Sequence, residues 1–114
     1  MATKTFTQAV NPDGVCITTW ASVTEADTGA GAGLARFPDR TVQVIGDFTT
    51  SGAITMEGSN DGTNWGTLHD QTGTTLVITD MTPRLIAENT LQVRPRATAG
   101  TAVSMTVIIV GAPR

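Results

Sequence analysis

The sequence predicts an all-β fold, an antiparallel β-sandwich of jelly-roll type, and three observations carry that expectation. Strand-like runs with two-residue alternation recur about every eight to twelve residues, separated by turn signals, as in sandwiches and barrels. Thr, Val, Ile, Gly and Ala dominate while Tyr is absent, and branched side chains suit a pleated sheet better than a helix. No stretch sustains a helical apolar period. At 114 residues the chain holds one domain, residues 1–114, with a single core.

Taken in order, residues 1–13 alternate weakly through Phe6, Gln8 and Val10 and end in a Pro-Asp-Gly turn, so they read as an edge strand or an extended arm. Residues 14–23, "GVCITTWASV", form a strand with Cys16, Thr18 and Trp20 on one face and Val15, Ile17, Thr19 and Ala21 on the other. Both faces are fairly apolar. The stretch 24–40, "TEADTGAGAGLARFPDR", reads as a long flexible loop, a length uncommon inside a small domain unless it is functional or disordered when free.

From residue 41 the alternation tightens. "TVQVIGDF" (41–48) and "AITMEGS" (53–59) are strands joined by a hairpin at "TTSG". A short strand follows around Trp65 to His69, then strands at 74–80 and 83–89. "LQVRPRAT" (91–98) is expected to turn Leu91, Val93, Pro95 and Ala97 inward and Arg94 and Arg96 outward. Pro95 cannot donate to a ladder, which implies an edge or a bulge there. After a turn at "TAGT", the run 102–110 closes the domain with Val103, Met105, Val107 and Ile109 inward.

Charge and cysteine usage narrow the function classes. A net charge of −3 offers no basic stripe for neutralising phosphates, which argues against free nucleic acid as a partner. The single Cys16 allows no internal disulfide framework and has no basic neighbour in sequence to activate it, so it reads as a small buried apolar residue. The start lacks the apolar core of a signal peptide, and no run approaches the length of a membrane span, so a soluble protein made in the cytosol is expected. Arg94 and Arg96 share one face, either as solvated groups or as a small contact patch for acidic groups on a partner protein.

The segment "GSNDGTNWGTLHD" (58–70) concentrates polar groups that could suggest a metal loop or a sugar site. It lacks the further Asp pair and the distal Glu of a calcium loop. Asn60, Asp61 and Gly62 suit a chain reversal, after which Trp65 is expected to fold over the end of the core and fix the strand register; a glycan contact is the sharper alternative. His69 and Asp70 are strand neighbours and point apart, one His cannot make a zinc site, and "GAGAG" lacks the Lys of a phosphate loop. The carboxylates are spread singly. Nothing in this pattern supports an enzyme, a metal or a cofactor.

The runs "ITMEGSNDGTNWGTLHDQTGTTLVIT" and "PRLIAENTLQVRPRATAGTAVSMTVIIVG" resemble small β-sandwich virion proteins of tailed bacteriophages, namely head decoration or cement proteins and related fibre-like proteins. The resemblance rests on the turn built from Ser59, Asp61, Gly62, Thr63 and Trp65, the hairpin at Thr72–Gly73, the "ENTLQVRPR" strand and the closing aliphatic strand. It covers roughly residues 41 to 111 and leaves the amino-terminal third unmatched. It implies a protein on the capsid surface of the virion that binds the major capsid protein, stabilises contacts between its subunits and forms a homo-oligomer there. The expected capsid or neighbour contacts are Phe6, Leu34, Arg36, Phe37, Arg40, Arg94 and Arg96. The alternative is a tail-fibre or adhesin-type carbohydrate-binding module, against which the shortage of aromatic side chains counts.

Overall fold

Alternation sets the inner layer of the protein. In the run Cys16–Val23, Cys16, Thr18 and Trp20 are fully buried while Ile17 and Ala21 face outward. The same rule places Val42 and Val44, then Val107 and Ile109, in the core. A computed structural model describes residues 3–24, 27–46, 48, 52–99 and 104–113. Its strands are β1 (Thr3–Lys4), β2 (Thr7–Val10), β3 (Cys16–Val23), β4 (Thr28–Gly29), β5 (Ala32–Gly33) and β6 (Asp39–Gly46). There follow β7 (Ala53–Ser59), β8 (Gly66–Thr67), β9 (Val77–Ile78), β10 (Arg84–Ile86), β11 (Gln92–Ala99) and β12 (Met105–Ala112).

These strands make a β-sandwich. One sheet runs β10-β6-β12-β3-β2, and the other runs β1-β4-β11-β7-β8, with β5 also on β11 and β9 also on β7. All pairings are antiparallel except β1 with β4, which is parallel. Between the sheets lie Trp20, Leu34, Val42, Ile54, Met56, Val93 and Val107 among others, each fully buried aliphatic side chain contributing roughly 1.5–3 kcal/mol. The described residues contain no helix long and apolar enough to cross a membrane.

Two irregularities tune this frame. On β3, Trp20 faces Val107 while Val23 faces Met105, so three steps on one strand match two on the other. Ser22 absorbs the extra residue with φ 57°, and the bulge returns Val23 to the core side. The second concerns Pro95. Toward β7 it pairs directly with Met56, and the register shift there comes later, between Ala97 and Ala99. Toward the other neighbour it falls between the β5 and β4 pairings, where three steps on β11 (Val93 to Arg96) match four (Ala32 to Thr28), the irregularity that a missing N–H implies. The Ala97 N–H donates to Asp27 O on the side of β4, so the nitrogen of Pro95, two residues earlier, faces that side too. There it meets Gly29, where a Cβ would stand only 2.5 Å from Pro95 Cδ and 2.7 Å from Trp20 Nε1. Gly29 leaves the room that the proline ring takes.

That contact corrects the reading of 24–40 as a structureless loop. Its described part carries β4 and β5, buries Asp27, Gly29, Ala32 and Leu34, and receives the Trp20 indole N–H on Ala30 O at 3.0 Å. Gly31 is equally confined, since a Cβ there would stand 2.7 Å from the Trp65 ring. The glycines serve close packing, which composition alone does not distinguish from looseness.

The amino-terminal residues are edge strands of both sheets. β1 joins β4, β2 joins β3, and between them Phe6 packs against Trp20 with ring centroids 5.7 Å apart. The expected strands at 74–80 and 83–89 shrink to β9 and β10. Leu91 is half exposed and not inward, because its N–H is held by Asn60 Oδ1 in the turn before β11 begins. The turns expected at 49–52 and 98–101 and the inward position of Val103 fall wholly or largely outside the described residues.

Candidate functional site

The polar segment 58–70 is a self-capping turn. Ser59 Oγ accepts the N–H groups of Asp61 and Gly62, and Asp61 Oδ1 accepts those of Thr63 and Asn64, both at 2.8 Å. The Asn64 amide and the Ser59 hydroxyl also donate to the Asp61 carboxylate. These bonds, led by those from Asn64 and Thr63, hold the Asp61 carboxyl well below the usual range. Gly62 takes φ 79°, a conformation that disfavours other residues. The oxygens that might have drawn a cation are spent on the chain's own backbone.

Trp65 follows this turn, but it does not close the end of the core. Gly66 pairs with Gly58, so Trp65 stands beside Ser59 on the outer face of the seven-stranded sheet. Arg94 covers its ring with the guanidinium carbon 4.1 Å from the centroid. Glu57, nearly buried on the same face, accepts Arg94 Nε at 2.9 Å on one oxygen and Arg96 Nε at 3.0 Å on the other. The two arginines thus share one carboxylate, Arg94 half-buried and Arg96 still exposed. Sequence reasoning missed Glu57 as their anchor because cross-strand register, which pairs it with Arg94, is not written in either strand alone.

His69 has a partner distant in sequence. Its ring Nδ1 and its backbone N–H both meet the Glu88 carboxylate, nineteen residues further along. Partial burial pushes the Glu88 carboxyl up, but the hydrogen bonds from His69 outweigh it and the net shift is downward. Asp70 instead caps its own hairpin by accepting from Thr72 and Thr74.

The expected contact residues separate into two groups. Leu34 is fully buried and Arg40 is 1% exposed, so neither presents a surface to a partner. Arg40 spends its guanidinium on backbone carbonyls, those of Phe37, Leu34, Thr90 and, at longer range, Glu88. Phe6 and Phe37 are partly buried against the core, Phe37 lying under Gly111. Arg36 and Arg96 remain exposed and Arg94 half-buried. Arg94 and Arg96 meet at Glu57, whereas Arg40 is tied to Leu34 and Phe37.

What it does assemble is the outer face of the five-stranded sheet. Register sets Leu85, Thr41, Val110, Ile17 and Ala9 side by side across all five strands. The next row runs Gln43, Ile108, Thr19 and Thr7, and Ile45 with Thr106 begins a third. Side chains paired in this way share one face. No ionisable group stands in these rows; Asp39, opposite Ala112, marks the rim. Ile17, Ile45, Leu85 and Val110 are each about two-fifths exposed (39–44%) although large and apolar. The signal was present in "VCITTW" and "TVIIV", where both alternation phases are apolar.

No protein-family model and no curated protein matches the chain. The architecture is that of an all-β sandwich, and solved structures share it. The fold is similar to that in the crystal structure of the SPBc2 prophage-derived protein YomS, with a TM-score of 0.59 and 14% identity over 85% of this chain and 95% of that one. At this identity the likeness is one of fold.

Proposed function

We propose that the chain is a virion protein of a tailed bacteriophage that decorates the outer surface of the head and stabilises contacts between major capsid protein subunits. The observation that carries this reading is the broad, uncharged sheet face on a sandwich whose polar groups are largely engaged within the fold. Such a face suits contact between proteins, because an exposed apolar patch with a polar rim is stabilised by burial against another surface. The prophage source of YomS supports a phage setting, as does the resemblance of the turn and of β11 to decoration proteins. On a lattice, each copy needs only modest affinity, since many equivalent sites are offered together. Its place would be the capsid surface, after synthesis in the host cytoplasm.

The test is co-sedimentation of the purified chain with empty heads made of the major capsid protein. Saturable binding at a fixed ratio to capsid subunits is expected, together with raised thermal stability of the heads. Binding that never saturates, or heads whose stability does not change, would remove the reading. Removing residues 1–10 is a poor probe, because it would strip edge strands from both sheets and the Phe6 contact from Trp20.

A further inference from the structure

We infer that two copies of this chain pack back to back through the outer face of the five-stranded sheet. The inference rests on the reading of that face as an assembly surface and names its occupant.

The chain carries −3, so two copies repel one another on approach. A two-fold interface sets each patch against its own image, and a patch of one sign would meet the same sign. The rows through Ile17, Val110 and Ile108 contain no ionisable group and meet their image without that cost. The opposite sheet presents Glu57, Arg94 and Arg96 on its outer face, which lacks this neutrality.

β3, β6 and β12, flanked by the shorter β2 and β10, give a footprint of at most roughly 20 by 23 Å at about 4.8 Å between strands and ~3.3 Å rise per residue. That lies below the roughly 800 Å² per partner of a standard interface and matches the smaller contacts of reversible, concentration-dependent pairs. Desolvation is cheap as well, because the Gln43 amide is already held by Met81 O at 2.9 Å and the remaining polar groups in these rows are threonine hydroxyls. Two twisted sheets stacked about 10 Å apart would interdigitate Ile17, Val110 and Leu85 with their counterparts.

Sedimentation velocity of the full chain over a wide concentration range is the experiment, with shell binding measured on the same samples. Wild type is expected to show a monomer–dimer equilibrium. Val110→Lys and Val110→Glu should each weaken dimerisation by at least about tenfold, since each places like charges face to face. Mixing the two should restore a dimer. Thr98→Lys, on the exposed outer face of the opposite sheet, should leave the equilibrium unchanged. If Val110 variants lose their fold by circular dichroism, Leu85→Lys and Leu85→Glu serve in the same way. A wild type that stays monomeric throughout overturns the inference. If that monomer binds heads and Val110→Lys abolishes the binding, the face is a shell contact and the decoration reading survives. A chain that dimerises through this face but never binds heads upholds the inference and removes the decoration reading.

Discussion

The guanidinium of Arg94 sits over the ring of Trp65, its central carbon 4.1 Å from the centroid. The same side chain donates Nε to Glu57, so aromatic, cation and carboxylate form one stack on the outer face of the seven-stranded sheet. A double-mutant cycle on Arg94→Ala and Trp65→Ala is expected to give a coupling of about 0.5–1 kcal/mol, the range for a partly exposed cation–π pair. Urea titration measures it. Additive single-mutant losses would mean that the contact contributes nothing.

Glu57→Ala should cost more than either arginine change, about 2 kcal/mol, because it leaves two guanidinium groups without their shared carboxylate. The loss stays below that of a fully buried pair because both arginines retain access to water. Comparing urea midpoints of Glu57→Ala, Arg94→Ala and Arg96→Ala checks the order.

Arg40 is the interior counterpart. Its guanidinium joins the carbonyls of Leu34 and Phe37 to that of Thr90, stitching two distant parts of the chain. Burial lowers its pKa without discharging it. Arg40→Ala is expected to destabilise the fold by about 3 kcal/mol, and Arg40→Lys to recover only part of this, because an ammonium cannot span carbonyls set out for a planar fork. Thermal unfolding of the three proteins tests the ranking.

Acid sensitivity follows from the turns. Asp61, Asp70 and Asp80 all have carboxyl groups held below their ordinary value of 3.8, chiefly by hydrogen bonds from Asn64, Thr72 and Thr82 respectively. A lowered folded-state pKa contributes stability that is complete above the unfolded value and fades as pH falls through the folded one. Stability should therefore be level near neutrality and decline below about pH 4. Asp61→Ala should show a shallower decline than wild type when urea midpoints are measured from neutral pH down to strong acid. Parallel curves would show that the turn does not contribute.

At the His69–Glu88 contact the two partners are not equivalent. Glu88 accepts from both the ring and the backbone of His69, so Glu88→Ala removes two bonds where His69→Ala removes one. Both side chains are more than a third exposed, which limits each loss to about 1 kcal/mol or less. The expected order is a larger loss for Glu88→Ala, read from urea midpoints at neutral pH.

Much of this protein was legible in its sequence. Alternation alone set the inward residues of β11 and β12 and divided β3 into its two faces, since side chains in a strand point to opposite faces and the apolar set must leave water, whereas Val23 reached the core only through the bulge at Ser22. The turn at Asn60, Asp61 and Gly62 was equally readable, because its bonds are local and stay within a few residues. Tertiary structure decided everything that depends on which strands become neighbours. Only register could set Glu57 between Arg94 and Arg96, turn Trp65 onto an outer face, and pull Leu34 and Arg40 inside. Only sheet order could align Leu85, Thr41, Val110, Ile17 and Ala9 into a single uncharged row drawn from five separate segments. A strand encodes its own two faces, whereas the partner across the ladder is chosen by the packing of the whole core.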